Sequence, residues 1–333
     1  MLDASHRLRS LLNAFVPKSF ARAHELAERG LLLKARMLEE SRAAKERLYS
    51  LDEAEFRVFS QWGEDGILSW LFSCLKSVED IFVEFGVEDY RECNSRYLLQ
   101  SKNWRGLALE ASESHAKKII QQPFYWRHDL KVARACVDRE NINALLKRYE
   151  VAGDIGLLSI DIDGNDYWVW ESCCVVHPAV VVCEYNAAFG DRKLLVIPYS
   201  PEFKRRHAHF SGLFFGASIR ALIHLASRKG YTFIGTNSAG CNAFFVRSDL
   251  ASEVVSRLET IRAFPSRFRE ARTIGGVLSY LDSRERSRLI AKMPVLDIEA
   301  NVTRDLEWYG NELCSEPWAR GSPVVVSETG EPG

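Results

Sequence analysis

Two aspartates end an apolar run in the segment LLSIDIDGNDY (157–167). The run before Asp161 has the character of a buried strand, and Asp163 comes just before a Gly-Asn-Asp turn. A carboxylate is unfavourable in the interior unless it is paired or binds a ligand. We therefore expect Asp161 and Asp163 either to lie at the rim of a strand or to hold a ligand.

Acidic residues recur at the ends of five consecutive predicted strands, which packing alone does not explain. An open parallel sheet binds its ligands at the carboxyl ends of its strands, so these residues predict one shared pocket. In chain order the strand-end residues are Glu84 and Gly86, Glu110, His128 and Asp129, Asp161 and Asp163, and Glu184 with Asn186.

The loop after the first strand reads VEFGVEDY and holds a single glycine, Gly86. A glycine at this point lets the backbone turn closely past a ligand, but the full GxGxxG pattern that cradles a pyrophosphate is missing. A glutamate before the glycine suits a cationic nucleoside without phosphate, and S-adenosylmethionine is such a ligand. Glu110, 24 residues after Gly86, is predicted to accept the ribose hydroxyls. Asp129 is predicted to meet the adenine amino group.

The residues at the ends of the fourth and fifth strands allow two interpretations, a metal site or structural caps. Asp163, Glu184 and Asn186 could supply oxygen ligands to Mg²⁺. In the alternative, Asp163 caps the following helix and Asn186 caps a turn. An alcohol acceptor needs a base or a metal, and the candidate bases are Asp163, Glu184 and His209. Asp161 is expected to line the pocket.

The long segment 187–216 is predicted to cover the acceptor, because loops of this length are usually functional. It contains KRRHAHF (204–210). A histidine there could titrate near neutral pH, which is why His209 is a candidate. The basic run Lys204 to Arg206 could meet an anionic acceptor, or could be a solvated turn.

Alternating strands and helices must position these residues. Repeated strand–helix units with apolar strands predict a parallel sheet covered on both faces, and the last two strands could pair as an antiparallel hairpin at its edge. We expect a helical extension over 1–55, the central domain over 56–250, and over 251–333 a helical stretch ending in a loose tail. The predicted strands cover 81–87, 105–111, 124–130, 156–162, 179–186, 231–237 and 242–248.

Composition excludes several classes of protein. The 333 residues carry a formal net charge of −1, which gives no electrostatic case for nucleic acid. The eight cysteines form no CxxC pair, which indicates ordinary thiols in a reducing compartment. No segment is apolar for long enough to span a bilayer and no export signal is recognisable, so we expect a cytoplasmic protein.

The first 50 residues hold ten Lys or Arg against six Asp or Glu, and their composition favours helix. Such a helix could pack on the main domain or pair with a second subunit, giving a homodimer. A peripheral contact with a membrane surface, aided by the basic excess and by LLNAF (11–15), is the alternative.

Five motifs together resemble the FkbM-type class I S-adenosylmethionine-dependent methyltransferases over roughly residues 58–250. The motifs are SQWGEDGIL (60–68), FVEFGVEDYRECNSRYLL (82–99), NWRGLALEAS (103–112), LLSIDIDGNDYWVW (157–170) and VVVCEYN (180–186).

The resemblance implies an α/β, Rossmann-like class I methyltransferase fold, with a mainly parallel seven-stranded sheet and an antiparallel last strand. It implies methyl transfer (class EC 2.1.1) to oxygen of a small-molecule or carbohydrate-like acceptor. It assigns Glu84 and Gly86 to the cofactor loop and Glu110 to the ribose, and it places Gln61 and Asn94 beside the same pocket.

Two departures from the family pattern lie in the first loop, where Glu88 and Tyr90 could crowd the cofactor. They leave open a catalytically inactive, methyltransferase-like scaffold. The other rival is an NAD-dependent oxidoreductase or sugar-nucleotide enzyme, which the missing GxGxxG disfavours.

Overall fold

The structure is a computed structural model that describes residues 18–326 of the chain. The expectations for LLNAF (11–15) and for the last seven residues of the tail lie outside the described residues. The central feature is a seven-stranded sheet with the order β3-β2-β1-β4-β5-β8-β7. Its strands are β1 (Ile81–Phe85), β2 (Arg105–Glu110), β3 (Leu130–Arg134), β4 (Gly153–Ile160), β5 (Val176–Glu184), β7 (Tyr231–Thr236) and β8 (Asn242–Arg247).

The fold class predicted from the sequence is confirmed. The first five strands pair in parallel, while β8 runs antiparallel to both β5 and β7. The last strand is therefore inserted between two parallel neighbours. The predicted antiparallel pairing of the last two strands is correct, but β7, rather than β8, forms the edge of the sheet.

Apolar side chains cover both faces of the sheet, as a parallel sheet requires. Neighbouring residues along a strand point to opposite faces, so Phe82 packs into one buried cluster while Val83 and Phe85 pack into the other. The same alternation continues in β4, where Leu157 and Leu158 lie in different clusters. This burial fixes the register between neighbouring strands. It brings the carboxyl ends of the parallel strands together on one side of the sheet.

Helices flank the sheet on both sides. In α8 (Ile219–Arg228), Ser218 caps the helix by accepting a hydrogen bond from the backbone N–H of Ala221, and Gly230 follows the helix at φ +79°. The helices are α1 (Lys18–Ala43), α2 (Glu64–Cys74), α3 (Arg96–Lys102), α4 (Glu113–Ile120), α5 (Ile142–Arg148), α6 (Asp166–Ser172), α7 (Arg205–Ala208), α8 (Ile219–Arg228), α9 (Ala251–Val255), α10 (Ser283–Leu289) and α11 (Glu316–Ala319).

The predicted N-terminal helix is present as α1, which packs against α2 and α3. Ala35 is buried among aromatic side chains of the central domain, and Glu39 accepts hydrogen bonds from Tyr97 and Lys102 at 2.9 and 2.6 Å. Glu28 pairs with Arg96 at 2.7 Å. The helix is thus held on the domain by both apolar and polar contacts. None of the helices in residues 18–326 is long and apolar enough to cross a membrane.

The C-terminal region differs from the expected helical stretch. It contains three short helices, α9 to α11, and short strands, two of which pair with distant parts of the chain. β10 pairs with β6 and β11, while β12 pairs with β9, so residues 324–325 are not part of a loose tail. The remaining strands are β6 (Leu195–Val196), β9 (Arg262–Ala263), β10 (Pro294–Asp297), β11 (Val302–Asp305) and β12 (Val324–Val325).

Candidate functional site

A cavity of about 880 Å³ opens at the carboxyl ends of the parallel strands. This volume lies within the range of small-molecule and cofactor sites. Eight of the sequence-predicted site residues line it. They are Gln61, Glu84, Gly86, Asn94, Glu110, Asp161, Asp163 and Glu184.

Glu84, at the end of β1, is buried and holds the start of α3. Its carboxylate accepts hydrogen bonds from the backbone N–H groups of Asn94 and Ser95 at 2.8 and 2.9 Å. The hydroxyl of Ser159 donates a third at 3.3 Å. Burial raises the pKa of the Glu84 carboxyl, and these donors oppose the rise. Glu84 therefore shapes the cavity wall with a carboxylate already occupied by the protein.

Gly86 lies where the ends of β1 and β4 approach each other closely. Its φ is +71°, and a Cβ atom on it would lie 1.7 Å from the carbonyl oxygen of Asp161. Only glycine fits this conformation and this space. The glycine thus allows the two strand ends to approach each other, which sets the position of Asp161 on the cavity wall.

Glu110, at the end of β2, is buried but retains one carboxylate oxygen without a protein donor. Its Oε1 accepts from the backbone N–H of Ser112 at 2.7 Å and lies 3.7 Å from Nδ1 of His115. No residue in the described chain donates to Oε2. A carboxylate oxygen without a protein donor, on a residue of the cavity wall, is a natural acceptor for ligand hydroxyls.

Asp166 holds the turn that carries Asp161 and Asp163. Its carboxylate accepts from the backbone N–H groups of Ile162 and Gly164 at 2.8 and 2.9 Å. Asp163 adopts a left-handed conformation in this turn, with φ of +57°. Burial raises the pKa of Asp166 to about 6. The N-cap position of the helix is Asn165, whose side chain makes no cap hydrogen bond. Asp163 is therefore not the helix cap, and Asp166 instead stabilises the turn before the helix.

Asp161, Asp163 and Glu184 bring one carboxylate oxygen each within 4.8 Å of one another. Burial, followed by the charges of Asp163 and Asp166, raises the pKa of Asp161 well above its usual range. Burial and the Asp161 charge do the same for the pKa of Glu184. Two carboxylates this close cannot easily both be ionised, so the Asp161–Glu184 pair holds protons more tightly than ordinary acids.

Arg205 supplies a cation to this cluster from the covering segment. Its guanidinium lies 2.6 Å from Oδ1 of Asp163 and 3.7 Å from Oε1 of Glu184, and it is also paired with Glu270. Its Nε donates to the carbonyl of Gly212 at 2.6 Å. The Arg205 side chain is only 12% exposed. The expectation that Arg205 meets an anionic acceptor therefore does not match its contacts.

The acidic cluster does not fit a divalent metal, because its carboxylates already contact Arg205. Asp163 and Glu184 already face a guanidinium, which would repel a second cation. Asn186, the third predicted ligand, is buried outside the cavity wall. Its amide oxygen accepts from the backbone N–H of Ala188 at 3.0 Å, and its nitrogen donates to the carbonyls of Leu213 and Phe215. Asn186 caps a turn, which is the alternative that the sequence left open.

Asp129 and His209 also lie outside the cavity wall. The placement of Asp129 is a correction, because residues 125–127 form a 3₁₀ turn and β3 begins only at Leu130. Asp129 therefore precedes its strand and lies at the amino end of β3, whereas the cavity lies at the carboxyl ends of the strands. His209 has its Nδ1 2.7 Å from the hydroxyl of Ser211, and burial lowers its pKa.

The first loop does not close the cavity. Tyr90 is fully buried, and its hydroxyl lies 2.6 Å from the hydroxyl of Ser95. It is absent from the cavity wall, whereas the exposed Glu88 contributes to it. The crowding by Tyr90 that the sequence suggested is thus not present.

Part of the wall comes from residues that sequence reasoning did not select. Ala135, Cys136 and Val137 follow β3, and a correct placement of that strand would have found them. Phe268, Glu270 and Arg272 come from an irregular C-terminal segment. These three wall residues follow one another at intervals of two positions in the chain. Nothing in the sequence relates this spacing to the strand ends.

No family model matches the chain, and no curated protein matches it. The matches are to solved structures. An O-methyltransferase from Bacillus cereus in complex with S-adenosylhomocysteine is 14% identical, over 65% of this chain and 89% of that chain, with a TM-score of 0.36.

Two further solved structures are similar to the same degree. The N-terminal domain of EvdMO1 with S-adenosylhomocysteine bound is 11% identical, over 66% of this chain and 95% of that one, with a TM-score of 0.38. An S-adenosylmethionine-dependent methyltransferase from Mesorhizobium loti is 12% identical, over 56% of this chain and 100% of that one, with a TM-score of 0.35. Likenesses of this size carry no weight for the chemistry of the site.

Proposed function

We propose that the chain is an S-adenosylmethionine-dependent methyltransferase that acts on an oxygen atom of a small-molecule acceptor. The observation that supports this most is the charge of the cavity wall, which holds eight acidic side chains against three arginines. A wall of this sign favours a cationic ligand and disfavours a diphosphate. S-adenosylmethionine carries an ammonium and a sulfonium and has no phosphate.

Glu110 and Asp161 would hold the cofactor. The free Oε2 of Glu110 can accept ribose hydroxyls, while its Oε1 is fixed by Ser112. The carboxylate of Asp161 accepts no hydrogen bond from a described residue and can receive a ligand cation. Gln61 and Asn94 line the same cavity and add polar contacts.

A dinucleotide is a poorer fit for a local reason. Phosphates bind backbone N–H groups at the start of the helix that follows the first strand. In this chain the N–H groups of Asn94 and Ser95, just before α3, donate to Glu84. A buried carboxylate thus occupies the position that a phosphate would need.

When bound, the cofactor would supply an electrophilic methyl group. The chain's own contribution is to hold the acceptor and to receive its hydroxyl proton. A base works best when its pKa lies near the operating pH. Because burial and the neighbouring Asp161 raise the pKa of Glu184 above its usual range, Glu184 is suited to take the proton. The second oxygen of Glu184, Oε2, is buried without a partner.

Arg205 would act as a positioning residue for this pair. Its charge lowers the pKa values of Asp161 and Glu184, which keeps one of them available as a base. The role expected of a metal, neutralising the clustered acids, is thus filled by a side chain. Asp163 is tied to the same guanidinium at 2.6 Å, so we assign the proton to Glu184, beside Asp161, rather than to Asp163.

Calorimetric titration with S-adenosylhomocysteine and, separately, with NAD⁺ tests the proposal. We expect S-adenosylhomocysteine to bind and NAD⁺ not to bind. The inactive-scaffold alternative predicts no binding of either ligand up to millimolar concentrations, and the oxidoreductase alternative predicts the reverse preference.

A further inference from the structure

An exposed apolar hairpin stands at the mouth of the cavity. Backbone hydrogen bonds join Thr273 to Val277 at 2.8 Å and Ser279 to Ala271 at 2.7 Å, so the segment is ordered. It nevertheless presents Ile274, Val277 and Tyr280 to solvent, with 86%, 67% and 61% of each residue exposed. Large apolar side chains grouped on an ordered surface usually mark a contact site.

The hairpin is continuous with the covering segment. The backbone N–H of Arg272 donates to the carbonyl of Ser211 at 3.1 Å. Gly276, Arg272, Arg206 and Phe210 all line the same cavity, and Phe210 is itself 42% exposed. Residues 201–212 and 267–280 therefore form one rim, which we call the rim patch.

The charge of the rim patch is opposite to that of the cavity behind it. Its two segments contain six Lys or Arg residues and two acids, although the whole chain has a net charge of −1. Arg205 and Glu270 are paired with each other, and Arg205 also faces Asp163 and Glu184. What remains on the rim is five basic side chains, none of them in an ion pair with a described residue, and Glu202. These five are Lys204, Arg206, Arg267, Arg269 and Arg272.

We propose that the rim patch docks the protein on an anionic membrane surface. Apolar side chains inserted at the headgroup level, surrounded by basic side chains, are the combination that binds such surfaces. A protein partner would use the apolar residues equally well, but it would not require five unpaired basic side chains in the same two segments. Docking in this orientation would place the cavity mouth at the bilayer. If the proposed methyl transfer is correct, on which this last step rests, a lipid-borne headgroup would reach it.

Vesicle flotation of the full chain tests the proposal. We expect binding to phosphatidylcholine vesicles that contain phosphatidylglycerol, weaker binding to pure phosphatidylcholine, and release at high salt. The combined variant Ile274→Ser, Val277→Ser and Tyr280→Ser should reduce the partition coefficient roughly tenfold or more. Lys204→Glu with Arg269→Glu should reduce binding to the anionic vesicles alone.

Helix α1 offers a matched control, since Leu26, Leu33 and Met37 are 59%, 63% and 62% exposed. Changing these three residues to serine should leave vesicle binding unchanged. The proposal is overturned if the wild-type chain does not float with anionic vesicles, or if the α1 variant loses binding while the hairpin variant keeps it. Thermal melting and titration with S-adenosylhomocysteine are measured on the same variants. They show whether each variant is folded and test the proposed function independently of membrane binding.

Discussion

The guanidinium of Arg205 lies 2.6 Å from the carboxylate of Asp163, although 42 residues separate them in the chain. The contact joins the segment that covers the cavity to the turn after β4. It brings a cation into a cluster of acids that would otherwise repel one another. The cover and the strand ends are therefore linked electrostatically, and this link has consequences for metal binding and for the pH dependence of the reaction.

Replacing Arg205 by methionine should create a site for a divalent cation. Without the guanidinium, Asp161, Asp163 and Glu184 have three carboxylates within 4.8 Å and no counter-charge, an arrangement suited to oxygen-seeking metals. Mn²⁺ binding followed by electron paramagnetic resonance should be absent in the wild type and present in the variant. The Arg205→Lys variant, which keeps the charge, should resemble the wild type. Tight Mn²⁺ binding by the wild type would contradict this account.

The pH dependence of methyl transfer should have an acid limb above the usual carboxyl range. Burial and mutual repulsion raise the pKa values of Asp161 and Glu184, so the base is protonated, and activity is lost, as the pH falls through the raised pKa. Arg205 lowers both pKa values, hence Arg205→Met should move the limb to higher pH. The profiles of kcat and kcat/KM measure this. A limb that stays in place in this variant would mean that the base lies elsewhere.

Gly86→Ala should destabilise the fold strongly, because the new Cβ would meet the carbonyl of Asp161 at 1.7 Å. We expect a loss of more than about 3 kcal/mol in the free energy of unfolding. Gly153 is a suitable control, since its φ is also positive, at +76°, but no atom lies within 4 Å of the position that a Cβ would occupy there. Gly153→Ala should cost only about 1–2 kcal/mol, from the backbone conformation. Denaturant unfolding of both variants decides whether close approach matters beyond the positive φ.

Asp166 should make stability depend on pH in a defined direction. Its pKa rises from the usual 3.8 to about 6 on folding, so its contribution is fully present below about pH 4 and is lost as the pH rises through 6. A shift of this size corresponds to roughly 3 kcal/mol. The free energy of unfolding of the wild type, minus that of Asp166→Asn, should therefore be larger at pH 4 than at pH 7. An unchanged difference across this range would show that the pKa of Asp166 is not raised.

The sheet could be predicted from the sequence because its signals are local. Apolar strands alternate with helices, and the acids at their ends mark the edge where the cavity lies. The predicted position of the third strand is wrong because Phe124, Tyr125 and Trp126 have the composition of a strand. They form a turn instead, in which Trp126 is 75% exposed. The correct strand begins at Leu130 and reads LKVAR, with two charged residues and only three apolar ones.

The cover of the cavity could not be predicted in the same way. Arg205 meets Asp163, Glu184 and Glu270 from three separate segments, and no local pattern encodes such a meeting. The short strands β6 and β9 each contain two residues and exist only through pairing with β10 and β12. Composition suggested helix in the C-terminal region because its Arg and Glu residues favour helix, and tertiary pairing overrides that preference.

Glu110 tests the central claim most directly, because its two carboxylate oxygens have separate roles. Glu110→Gln keeps an Oε1 acceptor for the backbone N–H of Ser112 but removes the charge and one acceptor from the cavity. Glu113→Gln, three residues further along on the exposed side of α4, is the matched control. The measurement is the dissociation constant of S-adenosylhomocysteine by calorimetry. We predict binding by the wild type and the control, and binding weaker by about tenfold or more in Glu110→Gln. Equal affinity in all three proteins, or no binding by any of them, would contradict the account.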